Sequence, residues 1–383
     1  MKHFKAIDGI RAWMAWWVVC QHMLQVAGIP SQIQNFGIRF LTMGGIGVMV
    51  FVIISGFVIQ NMLEQKNEPY KVYIIRRLFR IYPLYIIALI LALILRESYA
   101  TYFVYTPWAE PSAAAVFQDQ QQHLQIHIGL HILLLQSVVP DTLLKGSSLA
   151  LLGPAWSLSL EWQFYLVAPF LAALAFHRAV LVRAGACTAM AVALLLTYRV
   201  IGTENWAYPA FLPLVVGYFL LGMATCRKLH GSSWASLSPP LALSALNIAL
   251  FTPAYAYGKA GLSLLPIAIW GAVIWHVART KEVGPKDLAG KVMSLLLESK
   301  IANNLGLWSY STYLLHIPSF TAALYVAQAS GIKLTPYHRL GVTLLTLPII
   351  ILLSRFTYRR IEGSGSRLAS LMLCGLKTRT ATT

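Results

Sequence analysis

Long apolar stretches separated by short polar ones run the length of the chain. Ten of them, near 10–28, 40–61, 81–96, 155–176, 179–198, 208–225, 238–254, 260–277, 305–328 and 340–357, approach the roughly 20 residues that a helix needs to cross a bilayer. An eleventh stretch, Ile126–Val139, has only 14 residues and contains His127, His131 and Gln136. That length suits a re-entrant or interfacial segment. The pattern predicts an all-α fold: a polytopic membrane helix bundle of about ten transmembrane helices, with a re-entrant segment near 126–139.

Composition sharpens the class. Hydrophobic residues make up 57% of the 383, charged residues only 11%, and the mean hydropathy is +0.64. A soluble protein carries about 25% charged residues. The values exclude a soluble globular domain, and equally a disordered chain.

The net charge of +17 would suggest a nucleic-acid partner in a soluble protein. Placed on the predicted spans, it reads as topology. With the N-terminus inside and 126–139 not crossing, 23 of the 30 lysines and arginines fall on the inner side and seven outside. If 126–139 crossed, the split would be 13 inside and 17 outside. Cytoplasmic loops carry the excess of basic residues, so both termini are expected in the cytoplasm, the loop 97–154 outside, and no nucleic acid as partner. The N-terminus has the basic-then-apolar shape of a signal sequence, but no small-x-small site follows His22, which predicts a retained first span. Cys20, Cys187, Cys226 and Cys374 show no zinc or redox spacing, so they read as packing thiols and no metal is expected.

Ionisable residues inside spans are costly and mark function. Arg11 and His22 are eleven residues apart, about 1100° of helix, which puts both on one face and about 16 Å apart along the axis. Taken singly, Arg11 also fits a snorkelling anchor and His22 a packed, hydrogen-bonded residue. Glu161 lies in Trp156-Ser157-Leu158-Ser159-Leu160-Glu161-Trp162-Gln163-Phe164-Tyr165, four residues from Ser157 and so on its face. A carboxylate there must pair or protonate, and a structural partnership with an arginine or histidine is the plainer alternative. Arg76-Arg77-Leu78-Phe79-Arg80-Ile81-Tyr82-Pro83, at the inner end of the third span, fits a topology anchor or an anion site, since guanidinium forks match phosphate geometry. His316 is a second mid-membrane imidazole, with a structural or supporting role expected. Gly44, Gly45, Gly47 and Ser55-Gly56 permit close helix packing. A transporter using His22, Glu161 and His316 as a proton path is the rival class, but no counterpart of Arg11 and His22 recurs in the second half as paired repeats would require.

Five of these strings, in order over about residues 4–362, resemble acyltransferase family 3, integral-membrane enzymes that acylate bacterial surface glycans and some secondary metabolites. They are Ile7-Asp8-Gly9-Ile10-Arg11 with His22; Gly47-Val48 and Phe51 leading to Ile54-Ser55-Gly56-Phe57; the Arg76–Pro83 string; the Trp156–Tyr165 string; and Ser309-Tyr310 through His316.

The resemblance implies a membrane domain over 1–362 with a short cytoplasmic tail at 363–383. It implies His22 and Glu161 as catalytic residues, Arg11, Arg77 and Arg80 as binders of an acyl-CoA donor, most simply acetyl-CoA, and Trp156, Ser157 and His316 in support. It also implies O-acylation of an O-antigen, exopolysaccharide or lipid-linked sugar at the outer face of a bacterial cytoplasmic membrane, with a macrolide or other small metabolite as the alternative acceptor. Under this resemblance Glu161 would orient His22 as a triad carboxylate does, and His22 would act either as base or as transient acyl carrier. One departure stands out: many members carry an acidic residue just after the Gly-Val of the second span, where this chain has Met49. The few residues after 357 imply the stand-alone form, without an appended hydrolase-like domain.

Overall fold

A computed structural model describes residues 4–29, 35–66, 68–200, 205–206, 208–255, 264–282 and 287–380. Lys2, Lys259 and Lys286 of the charge distribution, and part of the 199–208 loop, lie outside the described residues.

Helices occupy all ten expected segments: α1 (Lys5–Val26), α3 (Gly44–Gln65), α4 (Tyr70–Ile94), α8 (Trp156–Ala175), α9 (Val180–Val200), α10 (Leu212–Leu229), α11 (Trp234–Tyr255), α12 (Leu265–Glu282), α15 (Ser309–Ala329) and α16 (Pro336–Thr357). Shorter helices join them: α2 (Phe36–Leu41), α5 (Arg96–Tyr99), α6 (Ala113–Gln122), α7 (Leu124–Ile132), α13 (Leu288–Glu298) and α14 (Lys300–Leu307). No strand occurs among the described residues. Seven helical stretches are long and apolar enough to cross a membrane, which makes this a multi-pass membrane protein. Three expected spans fall outside these seven. α12 ends on Arg279, Lys281 and Glu282, while α1 and α15 turn ionisable and hydroxyl side chains inward: Asp8 on α1, and Ser309, Ser311, Thr312 and His316 on α15, are all buried.

Burial divides the bundle. α3 is 72% buried over its apolar window and forms the centre, whereas α9 is 17% buried and lies at the rim. Leu181 and Val200 on α9 and Leu345 on α16 are largely exposed, the side chains a hydrocarbon solvent accepts. α3 and α10 pack backbone to backbone. A Cβ added at Gly56 would collide with the carbonyl of Phe219, and one at Gly222 with that of Ile53. Apolar side chains gain little from leaving lipid for protein, so close approach through small residues supplies the dispersion that holds such pairs.

The stretch 126–139 does not cross. Its helical part, α7, has nine residues, about 14 Å of rise against a core of about 30 Å. Beyond it the chain turns and is tied to the start of α8. Gln136 donates to the Ala155 carbonyl at 3.2 Å, and Ser159 donates to that of Leu134 at 2.7 Å. The expected tail is itself helical: α17 (Gly363–Thr380) follows a π-helical turn at Tyr358–Glu362 and packs on α4.

Candidate active site

Helical spacing sets the site. On α8, Ser157, Glu161 and Tyr165 follow one another at i, i+4 and i+8 and share a face. On α4, Arg77 and Arg80 are three apart and share another, while Arg76 turns away to pair with Glu68 at 3.2 Å. α1 contributes Arg11, 4.0 Å from Asp8 one turn earlier. Five of the eight predicted residues, Arg11, Arg77, Arg80, Ser157 and Glu161, line one chamber of about 530 Å³, enclosed also by α3 and α15.

Glu161 is held on both sides. Its Oε1 accepts from Ser55 Oγ at 3.0 Å and from Tyr165 Oη at 2.5 Å. The Arg77 guanidinium lies 5.7 Å from the centroid of the Tyr165 ring, within cation–π reach. Asp8 and Glu161 and the hydroxyls of Tyr165 and Tyr310 line the same chamber as the three arginines. Its polar side therefore sets three guanidiniums against two carboxylates, of which Asp8 lies 4.0 Å from Arg11. The opposite wall is apolar, with Val48, Phe51, Val52 and Phe57 from α3.

His22 stands apart from this chamber. It is half-buried in the C-terminal part of α1, its Nδ1 3.2 Å from Gln25 Oε1 and its ring 5.2 Å from that of His316, tilted by 33°. His316 is fully buried, with Nδ1 3.3 Å from the Thr312 carbonyl. Carbonyl oxygens accept, so each imidazole carries its proton on Nδ1 and presents a bare Nε2. Tyr313 links the two regions. Its ring lies 6.1 Å from His316 on one side and 6.1 Å from Phe51 on the other, and its hydroxyl meets Ser157 Oγ at 2.9 Å.

The structure therefore brings the three arginines, Ser157 and Glu161 together and places His22 with His316. It does not place Glu161 on His22. The triad-like orientation of His22 by Glu161 is corrected: Gln25 contacts the imidazole, and the hydrogen bonds of Glu161 go to Ser55 and Tyr165. The reason is axial: His22 lies about 16 Å along α1 from Arg11, whereas Glu161 lines the chamber that Arg11 lines. Trp156 is buried against Tyr208, ring centroids 5.8 Å apart, and does not line the chamber.

Sequence reasoning missed Gln25, Tyr165 as a partner of Glu161, and Glu362. The i+4 spacing from Glu161 would have found Tyr165, and the i+3 spacing from His22 would have found Gln25. Glu362 carried no such signal in a basic terminal run. One His/Cys/Glu group, Glu64, Cys226 and His230, is compact enough to hold a metal among the described residues. Its groups already satisfy one another, His230 Nδ1 lying 3.0 Å from Glu64 Oε2 and 3.0 Å from the Cys226 carbonyl.

A family model described as an acyltransferase domain matches residues 4–355, nearly the whole chain. No curated protein and no solved structure matches it.

Proposed function

Because the chain belongs to this acyltransferase family, we propose that it is an O-acyltransferase that takes an acetyl group from cytosolic acetyl-CoA and transfers it to a glycan hydroxyl at the outer side of a bacterial cytoplasmic membrane. The observation that carries this reading is the chamber itself: Arg11, Arg77 and Arg80 converge from α1 and α4 on one cavity, with His22 farther along α1. Guanidinium forks suit the donor's phosphates. The acyl-bearing arm would extend from them along α1, past Tyr313, to the imidazoles.

In the transfer step His22 Nε2 takes the proton of the acceptor hydroxyl. The freed oxygen attacks the thioester carbonyl, the carbon–sulfur bond breaks, and the thiolate leaving takes the proton back from the imidazolium. The products are an O-acyl ester and the free thiol of coenzyme A. Gln25 holds the tautomer that leaves Nε2 available.

The test incubates membranes carrying the unmutated chain or His22→Ala with radiolabelled acetyl-CoA and pooled bacterial glycans. Label reaching a glycan only with the unmutated chain is expected. Equal label with both would overturn His22 as base. Label retained on the protein without acceptor would replace direct transfer by an acyl-histidine.

A further inference from the structure

A second cavity, of about 210 Å³, lies where α8 ends, α9 begins and α10 hands over to α11. Phe176, His177, Arg178, Arg183, Arg227 and Ser236 line it, and it holds far more space than one water requires. Arg183 is only 7% exposed. Its Nη1 donates to the His177 carbonyl at 2.8 Å, and its buried Nε has no hydrogen-bond partner among the described residues. A buried guanidinium with a donor left over calls for an acceptor. His177 Nδ1 accepts from the Ala179 amide at 3.1 Å, so its Nε2 carries the proton and is a further donor. Arg227 lies 5.3 Å over the Phe176 ring and 3.8 Å from Glu64, which His230 already holds at 3.0 Å. No carboxylate lines the cavity itself, and neither Arg178 nor Arg183 has an ion pair among the described residues. α9 and α11 both start here, Arg183 in the first turn of one and Ser236 in that of the other, and helix N-termini favour negative charge.

We propose that this cavity binds the phosphate headgroup of an anionic phospholipid. Guanidinium forks suit phosphate, and a soluble phosphate compound carries the same group. The surroundings favour the lipid. Val180 and Leu181, beside the cavity at the start of α9, are largely exposed and give acyl chains an apolar flank next to the phosphate. Trp234 is exposed at the start of α11, with Lys228 Nζ 4.6 Å from its ring. Exposed tryptophans collect at headgroup level, which is the depth a headgroup site needs. Basic pockets between spanning helices are where anionic headgroups bind. A headgroup seated here joins Arg183 of the rim helix α9 to Arg227 of α10, which packs against the central α3.

Native mass spectrometry of the full-length protein in detergent, titrated with phosphatidylglycerol or with phosphatidylcholine of the same chains, tests this. Phosphatidylglycerol should bind more tightly than phosphatidylcholine. Arg183→Gln should weaken phosphatidylglycerol binding about tenfold, the effect of one lost hydrogen bond to a charged group. Arg178→Gln, at an exposed position, should weaken it about threefold. Arg359→Gln removes the same charge from the exposed π turn and should leave binding unchanged. Equal affinity for the two lipids overturns the anionic headgroup. Unchanged phosphatidylglycerol binding by Arg183→Gln overturns the site. An equal loss in Arg359→Gln overturns it in favour of the protein's overall positive charge. Glycerol phosphate that binds as tightly as phosphatidylglycerol overturns the lipid and leaves a soluble phosphate. If Arg183→Gln does not fold, because Nη1 also holds the His177 carbonyl, Arg178→Gln decides: phosphatidylglycerol affinity equal to that of the unmutated chain overturns the proposal.

Discussion

His22 and His316 lie with ring centroids 5.2 Å apart, and both turn Nδ1 toward a carbonyl oxygen, that of Gln25 in one case and that of Thr312 in the other. Two imidazoles of one tautomer, one half-buried and one sealed, make unequal partners: the more accessible one can meet a substrate, and the buried one can only act through it.

His316→Gln should therefore lower kcat by about tenfold while His22→Ala abolishes transfer, the range in which loss of a supporting group and loss of the base are separated. Initial rates at saturating donor check this. Equal loss in both variants would make His316 as central as His22.

Arg80→Ala should raise the donor KM more than it lowers kcat, because Arg80 lines the chamber and the imidazoles do not. A hydrogen bond to a charged group contributes about 1.5–3 kcal/mol, so donor binding should weaken by at least about tenfold. Arg80→Lys should recover part of that loss, since Lys keeps the charge but not the fork.

Gly222→Ala tests the fold rather than the chemistry. Its new Cβ meets the Ile53 carbonyl, and backbone cannot step aside as a side chain can. A loss of about 1–3 kcal/mol is expected from overpacking, read as a lower melting temperature in detergent. An unchanged melting temperature would mean that the α3–α10 contact is looser than this.

Acid should destabilise the α7 segment. His127 and His131 on α7 are both fully buried, and their ring pKa values are pushed down from 6.5 to about 4 and about 3, with burial the larger cause in each. A lowered histidine pKa means that the unfolded chain binds the proton more readily. Stability is then complete above pH 6.5 and falls as the pH drops from 6.5 toward 4. Thermal melts at pH 7.5 and 5 should show that loss, and His127→Gln should flatten it.

The sequence by itself determined the class, the helices and the candidate list. Lipid contact is a local requirement, met residue by residue along each span, so apolar runs and the basic residues between them were legible in order. The 126–139 stretch was legible as non-spanning from its 14-residue length. The spacing also put Ser157 beside Glu161 and Arg77 beside Arg80, because both are properties of a single helix.

Only the tertiary structure decided which faces meet. Glu161 joins Ser55 across more than a hundred residues of chain, and a carboxylate's partner there depends on axial level, which helical period alone does not carry. The same physics explains Glu362: in sequence it is one acid in a basic terminal run, and its hydrogen bond from Ser311 depends on a π turn and the docking of α16 on α15. Local patterning sets what each helix can bury. The packing of several helices at once sets which charges must answer one another.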